Sequence, residues 1–164
     1  MADKTLESLF LNTLKDIYYA ERQILKGLPK MERAAQSADL KAAFQGHREE
    51  TEGQVERLQQ VFDFLGKRAV GKTCPAIDGI MDEAAEIIEE YGESPAIDAA
   101  LAAVAQAVEH YEIARYGALC NWAVALGYTE ATALLQTTLA QEKTADQKLS
   151  GIAESANSTA MAAA

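Results

Sequence analysis

Two carboxylates stand in an otherwise small and apolar stretch of the sequence, residues 106–116 (QAVEHYEIARY). Glu109 and Glu112 are three residues apart, so on a helix they share one face. Burying carboxylates costs free energy unless a cation meets them. No Lys or Arg lies on that face, and the nearest base, Arg115, points to one side. A metal ion is therefore the simplest partner for this pair.

Two further predicted helices carry acidic residues where their apolar stripes require apolar side chains. Glu142 and Asp146 are four residues apart and break the stripe midway along the last helix. Glu21 breaks the stripe of the first helix in the same way. Taken alone, Glu21 is more simply explained as a carboxylate at the edge of the stripe, in water. Its role in a metal site therefore depends on what the other helices place nearby.

The second predicted helix changes character midway along one face. Its ends are apolar, but His47, Glu50 and Gln54 follow one another on that face in the middle turns. Arg57 falls on the opposite face, where a solvated helix carries its charges. A lone histidine in such a position is more often a core residue than a ligand. The inward Glu one turn away leaves both interpretations of His47 open.

The composition of the chain predicts one helical domain. Its 164 residues are 49% hydrophobic, with only 3 Pro and 10 Gly, which favours a packed core of long helices. The net charge of -10 argues against nucleic acid and anionic membranes as partners. No apolar run approaches the roughly 20 residues of a membrane span. Cys74 and Cys120 form no metal-binding pair and no evident disulfide, so we expect a cytoplasmic protein.

Periodicity and turn residues predict the order of the helices. Four long helices are expected, with a short acidic helix between the second and the third. The domain is expected to span residues 1–154, and the small, polar residues 155–164 are expected to form a frayed tail. The predicted bounds are 5–35, 39–65, 77–91 for the short helix, 95–126 and 129–154.

The lengths of the connections predict the topology. Short turns follow the first and third long helices, which makes two antiparallel hairpins. The long connection 66–94 can run the length of the bundle, so the second and third long helices can be parallel. One long crossover in an all-α four-helix bundle is the ferritin-like arrangement.

That arrangement predicts a dinuclear metal site. A pseudo-two-fold relation between the hairpins would bring Glu21, Glu50, Glu112 and Glu142 together at mid-bundle. Carboxylates in such a cluster repel one another and stay protonated without cations. Two divalent ions, bridged by carboxylates, resolve this. Oxygen-rich ligation with at most one imidazole suits iron or manganese.

Four segments of the chain resemble the YciE/YciF-type ferritin-like stress proteins, and the resemblance extends over about residues 4–152. It implies a helical dimer with a di-metal centre, associated with bacterial stress responses and without a settled activity. The segments are 16–23 (DIYYAERQ), 47–54 (HREETEGQ), 108–117 (VEHYEIARYG) and 141–146 (QEKTAD).

A more distant resemblance links the chain to rubrerythrin. That family has Glu on its first helix, Glu-x-x-His on the second, Glu-x-x-Glu on the third and Glu followed by His on the fourth. Glu21 matches the first helix, the 109–112 pair the third, and Glu142 the fourth, with Asp146 in place of His. The second helix departs from the pattern, because His47 lies one turn before Glu50 instead of after it.

Three functions remain open at this point. The first is a redox metalloprotein that reduces peroxide or dioxygen at two iron or manganese ions. In this hypothesis Glu50 and Glu142 bridge the ions, Glu21 and Glu112 are terminal ligands, and Glu109 is an alternative ligand. The second is a metal binder without turnover, and the third is a stress-induced structural or interaction protein whose polar centre is a hydrogen-bonded network. A homodimer is expected, since the third long helix is apolar nearly all round.

Overall fold

Five helices make up the part of the chain that the computed structural model describes, residues 4–163. They are α1 (Leu6–Ala34), α2 (Ala38–Phe64), α3 (Pro75–Tyr91), α4 (Ile97–Ala125) and α5 (Thr129–Ala162). The predicted bounds agree with these to within two residues, except at the end of α5. Residues 1–3 of the predicted domain lie outside the described part.

The ends of the helices follow from local capping. The Thr5 side chain accepts a hydrogen bond from the Ser8 backbone N–H at 3.1 Å, and Ser8 Oγ accepts one from Thr5 N at 3.0 Å. This reciprocal pair is a capping box, which satisfies two donors that a helix start leaves free. Ser37 caps α2 by accepting from Leu40 N at 3.2 Å.

The four long helices form a bundle in which each contacts two neighbours. The adjacent pairs are α1–α2, α2–α5, α5–α4 and α4–α1. The Asp98 carboxylate accepts hydrogen bonds from the backbone N–H groups of Gln36 and Ser37, both at 2.7 Å, which places the starts of α2 and α4 at the same end. At the other end the rings of Phe64 and Tyr128 lie 6.0 Å apart. Helices α2 and α4 are therefore parallel, and the ferritin-like prediction is confirmed.

The crossover that permits this parallel arrangement is fixed along the outside of the bundle. Its α3 packs against α1 and α4. Lys72 N donates to the Lys15 carbonyl at 3.1 Å, and the Tyr19 hydroxyl donates to Asp78 at 2.8 Å. Among the described residues, no helix combines the length and apolarity that crossing a membrane requires.

The structure corrects one boundary. Residues 155–162, expected to fray, continue α5 as regular helix to Ala162, and Ala156 is buried against the bundle. Alanine has the highest helix propensity, and this segment is rich in it. The packing of Ala156 adds a tertiary contact that the polar composition of the segment did not suggest.

Candidate metal centre

A cluster of buried polar side chains occupies the middle of the bundle. Each long helix contributes at least one member, and nearly all of the surrounding residues are apolar. The members with exposed fractions of 8% or less are Glu21 of α1, His47, Thr51 and Gln54 of α2, Glu109 and Glu112 of α4, and Thr138 and Glu142 of α5.

One imidazole and three carboxylates converge within this cluster. His47 Nε2 lies 3.4 Å from Glu109 Oε1 and 3.8 Å from Glu112 Oε2. One ligand atom from each of these residues and from Glu142 lies within 4.8 Å of all the others. Four ligand atoms this close to one another can hold a metal ion between them.

Several polar atoms of the cluster are buried without a hydrogen-bond partner. Such atoms are rare in folded proteins and call for an explanation. The unpartnered atoms are Glu21 Oε2, both imidazole nitrogens of His47, Gln54 Oε1, Glu109 Oε2, both carboxyl oxygens of Glu112, and Glu142 Oε2. They are the lone-pair donors that iron or manganese takes as ligands, so the residues present fit a metal ion.

Two neutral side chains donate hydrogen bonds to the outer oxygens of the cluster. The Gln54 amide donates to Glu142 Oε1, and the Tyr116 hydroxyl donates to Glu21 Oε1. Glu142 and Glu21 are therefore each held through one carboxyl oxygen, and the second oxygen of each has no hydrogen-bond partner. In many metalloproteins, hydrogen bonds from side chains that do not bind the metal orient the ligating carboxylates in this way.

Arg57 is the cation nearest the cluster, but its hydrogen bonds are made elsewhere. Its Nε donates to Thr138 Oγ1 at 2.9 Å, and its Nη2 donates to Gln141 Oε1. Burial raises the pKa values of Glu21 and Glu142, and the positive charge of Arg57 only partly opposes that rise. Within residues 4–163 no Lys or Arg forms an ion pair with the buried carboxylates.

Burial makes the carboxyl groups of the protein without metal weak acids. It raises the pKa of Glu109 to about 10, with further contributions from its contact with Glu142. Burial and the neighbouring charge of Glu142 raise the pKa of Glu21 to about 8. Burial also raises the pKa of Glu142 to about 7 and that of Glu112 well above its ordinary range. In the absence of a cation, most of these groups hold protons at pH 7.

The imidazole responds in the opposite direction. Burial lowers the pKa of His47 to about 4, because the charged imidazolium loses its hydration. His47 is therefore neutral at pH 7, and a neutral imidazole has a free lone pair for a metal ion.

Three residues of the predicted site lie outside the convergent group of four. Glu21 is fully buried in the same cluster, whereas Glu50 and Asp146 lie at its edge. Glu50 is one-third exposed at the rim, with Oε2 4.0 Å from His47 Nδ1. Asp146 Oδ1 faces outward, 3.2 Å from His110 Nε2 and 3.1 Å from Gln106 Nε2. The inward stripe of α2 runs through His47, Thr51, Gln54 and Leu58, spaced by turns of three and four residues, and Glu50 falls to one side of it.

Sequence reasoning undervalued three residues around the cluster. Gln54 was noted as part of the polar face, but its bond to a carboxylate of α5 needs the packed bundle. Tyr116 is four residues after Glu112, and this spacing alone could have placed its hydroxyl at the site. Arg57, expected on the solvated face, is half-buried between α2 and α5.

The fold and the cluster together define a class: an all-α bundle of the ferritin-like arrangement whose centre carries carboxylates and one imidazole. Comparison with protein families places the chain more closely. The model of a domain of unknown function, DUF892, matches residues 5–162, and the chain belongs to this family.

Curated and solved relatives agree with that placement. The chain is 44% identical over 151 residues to protein YciF of Escherichia coli, covering 92% of this chain and 91% of that protein. The crystal structure of the E. coli stress protein YciF matches with a TM-score of 0.91 at 43% identity, over 95% of this chain and 99% of that one. YcfI from Rhodopseudomonas palustris, described as "a putative structural protein", matches with a TM-score of 0.84 at 50% identity, over 90% and 94%.

Proposed function

We propose that this protein binds two divalent ions, iron or manganese, in the central cluster. The observation that carries the proposal is the convergence of His47, Glu109, Glu112 and Glu142 to within 4.8 Å, with unpartnered oxygen and nitrogen atoms. Four buried acids with no paired Lys or Arg among the described residues are costly to ionise, and a cation removes that cost.

The composition of the site favours the proposed metals. Carboxylate oxygens dominate and only one imidazole is present, which suits iron and manganese better than zinc or copper. Glu109, Glu112, Glu142 and His47 supply the first ion. Glu21 and Glu50 are the further carboxylates for the second ion. The pKa of Glu21 is raised by burial and by the charge of Glu142, and Glu50 lies at the rim.

When bound, such a pair would supply two electrons to peroxide or dioxygen; with peroxide, two electrons and two protons would give two waters. The protein contributes the surroundings. Tyr116 holds Glu21 and Gln54 holds Glu142, each through one carboxyl oxygen. In the chain without metal, Glu21 and Glu109 have pKa values raised to about 8 and about 10, so they hold protons that metal binding releases.

The proposal is tested by loading the protein anaerobically with Fe²⁺ or Mn²⁺ and measuring bound metal by elemental analysis. About two ions per chain are expected. Glu112→Gln and Glu142→Gln should lose stoichiometric binding, whereas Glu49→Gln, an exposed neighbour on α2, should keep it. Folded protein that stays metal-free, or variants that bind like the parent chain, would contradict the assignment. Peroxide turnover by the loaded protein is then assayed.

A second candidate function is a structural or interaction protein without metal. Its support is the network in which Tyr116 and Gln54 already satisfy one oxygen of Glu21 and of Glu142, with the remaining carboxyls protonated. The name of the R. palustris relative points in the same direction. Under this alternative, Glu142→Gln should preserve or raise stability, and added metal should have no effect on the melting temperature.

We also propose that the protein acts as a cytoplasmic homodimer in a bacterial stress response. The support for a dimer is exposed apolar surface at the α4–α5 end of the bundle, where Leu9 is 46% and Val124 64% exposed. The support for a stress role is the similarity to the E. coli stress protein. Sedimentation velocity at micromolar concentration separates a dimer of about twice the 17.7 kDa chain mass from a monomer.

A further inference from the structure

A cleft of about 840 Å³ lies between the first half of α2 and the second half of α5. Its floor reaches the bundle interior, where Leu28 and Val108 are buried. Its mouth is in contact with solvent, because the lining residues there are exposed. These mouth residues are Asp39, Ala42 and Gly46 on α2, and Lys148, Gly151 and Ser155 on α5. The α2–α5 cleft therefore connects the outside of the protein with its core.

The cleft is open because side chains join the two helices only further along the bundle. There Gln54 donates a hydrogen bond to Glu142, and Arg57 donates one to Thr138. Among the residues that the structure describes, no side-chain hydrogen bond joins the mouth residues of α2 to those of α5. The two helices are thus held together at mid-bundle, next to the metal centre, and leave a gap at the end where α2 begins.

The inner end of the cleft is the metal centre. His47 and Glu109 line the cleft, and both belong to the convergent group. The His47 side chain is only 8% exposed, and neither ring nitrogen has a hydrogen-bond partner. Glu50 also lines the cleft, is one-third exposed, and places Oε2 4.0 Å from Nδ1 of His47. The cleft therefore leads from solvent to ligand atoms of the cluster that are free to bind.

The charged side chains of the cleft are predominantly acidic. Besides Glu109 of the cluster, the acids are Asp39, Asp98 and Glu50, whereas Lys148 is the one cation in the described lining. Asp39 and Asp98 lie at the end where α2 and α4 begin, and Glu50 lies about three turns further along α2. A lining in which one sign of charge prevails raises the local concentration of ions of the opposite sign. This cleft therefore attracts cations and repels anions.

The size and the walls of the cleft suit passage rather than storage. At about 30 Å³ per water molecule, a divalent ion with six waters occupies roughly 200 Å³, well below the volume of the cleft. The walls between the acidic ends include Leu28, Phe44, Val108 and Leu149, which offer no ligand atoms. An ion that enters is therefore not retained before it reaches the carboxylates and the imidazole at the inner end.

We propose that the α2–α5 cleft is the access route by which hydrated divalent cations reach the metal centre. Asp39 and Asp98 attract the ion, Glu50 is the carboxylate at which the route meets the cluster, and His47 and Glu109 bind the ion there. The inference deepens the proposed function, because it names the path by which the site is filled. It rests on that function for the identity of the centre, whereas access to His47 depends on the cleft alone.

Access is tested first on the metal-free chain with diethylpyrocarbonate, an uncharged reagent that acylates neutral imidazole. The chain has two histidines, and His110, which is exposed on α4, is the internal reference for His47. Peptide mass spectrometry gives the modification rate of each. His47 should react in the folded protein, at a rate that exceeds the rate of global unfolding. A His47 rate limited by unfolding overturns the proposal.

A variant that narrows the cleft locates the path. The double variant Gly46→Phe/Gly151→Phe places two rings at the mouth, where a Cβ atom at either position meets nothing within 4 Å. It should slow both His47 modification and Mn²⁺ uptake at least threefold, with the His110 rate and the final metal content unchanged. The matched control is Gly79→Phe on α3, which has the same free space and does not line the cleft. Smaller changes in the double variant overturn the proposal, and circular dichroism checks that each variant is folded.

The attraction of cations is tested by the rate of Mn²⁺ uptake, measured by chelator quench and elemental analysis. Lys148→Glu should raise the rate about three- to tenfold at about 10 mM salt and less than twofold at about 0.5 M, since salt screens the added charge. Asp39→Asn should lower the rate at low salt. The matched control is Lys30→Glu, the same charge change at an exposed position of α1 outside the lining. Equal effects of Lys148→Glu and Lys30→Glu overturn the proposal.

The failure of this inference is distinguishable from the failure of the proposed function. Parent-like stoichiometry reached at a rate that neither the double variant nor Lys148→Glu alters overturns this inference alone. A chain that takes up no Mn²⁺ at equilibrium overturns the proposed function, and the cation route is overturned with it. If uptake and His47 modification become fast only after dilution dissociates an oligomer, a second subunit covers the cleft and the inference is overturned.

Discussion

Glu112 is a buried carboxyl group that lacks the hydrogen bonds expected of a buried polar side chain. Its side chain is fully buried, and neither carboxyl oxygen has a hydrogen-bond partner. Glu21, its neighbour in the cluster, differs in one respect, since the Tyr116 hydroxyl holds one of its oxygens. The contribution of this hydrogen bond to stability can therefore be measured at Tyr116 without changing any carboxylate of the cluster.

Replacing Tyr116 by Phe should lower the free energy of unfolding by about 1–3 kcal/mol, because a buried carboxyl oxygen of Glu21 loses its donor. Urea unfolding in the presence of a chelator measures this. The matched control is Tyr19→Phe, whose hydroxyl bonds Asp78 at 2.8 Å in a half-buried setting where water can replace it. Its loss should be below about 1 kcal/mol. A Tyr116→Phe loss no larger than the control would contradict the assigned bond.

At the scale of the helices, the turn between α1 and α2 is tied to the start of α4 by a single side chain. Asp98 accepts from the backbone N–H groups of Gln36 and Ser37, at 2.7 Å each. These two bonds fix the ends of two helices that are not joined by a short connection. They also stabilise the end of the bundle at which α2 and α4 begin.

Asp98→Ala should destabilise the protein by about 2–3 kcal/mol, because two charge-assisted hydrogen bonds are lost and two backbone donors lose their partner. Thermal unfolding of the chelator-treated protein reports the change. Asp82→Ala, an exposed carboxylate on α3, is the control and should change stability by less than about 0.5 kcal/mol. Metal binding at mid-bundle should persist in both variants. Equal stability of the two would show that the turn is held by other contacts.

At the scale of the whole molecule, the cluster makes the stability of the metal-free protein depend on pH. The folded protein keeps protons on Glu21, Glu109 and Glu142, whose pKa values are raised to about 8, about 10 and about 7, while the unfolded chain releases them above about pH 4.5. The folded state then binds more protons than the unfolded state, so stability falls as pH rises. The lowered pKa of His47 acts in the opposite direction below about pH 6.5, with one proton against several.

We therefore expect the free energy of unfolding, measured with chelator present, to decrease by several kcal/mol between pH 5.5 and 9, at about 1.4 kcal/mol per pKa unit for each group. Glu109→Gln removes one titrating group and should give a shallower decrease. Saturating Mn²⁺ should remove the decrease, since bound cations hold the carboxylates ionised. A stability that is flat or rises with pH in the chelator-treated protein would contradict the burial of protonated carboxyl groups.

Much of the architecture was determined by the sequence itself. Apolar stripes of helical period and turn residues predicted all five helices, and the length of the crossover predicted the parallel arrangement of α2 and α4. Acidic breaks in otherwise apolar stripes predicted the depth of the cluster. These inferences succeeded because helix formation and amphipathicity are local properties, set by residues within a few turns of one another.

Tertiary structure decided what local periodicity could not. In the packed bundle, His47, Thr51 and Gln54 of α2 face the interior. Glu50, one position before Thr51, lies at the rim. Packing against the bundle continued α5 beyond Glu154, and it left Asp146 bonded to Gln106 at the surface. The convergence of His47, Glu109, Glu112 and Glu142 has no local sequence pattern of its own. It exists only when α2, α4 and α5 are packed together, and the free energy of that packing depends on contacts distant in the chain.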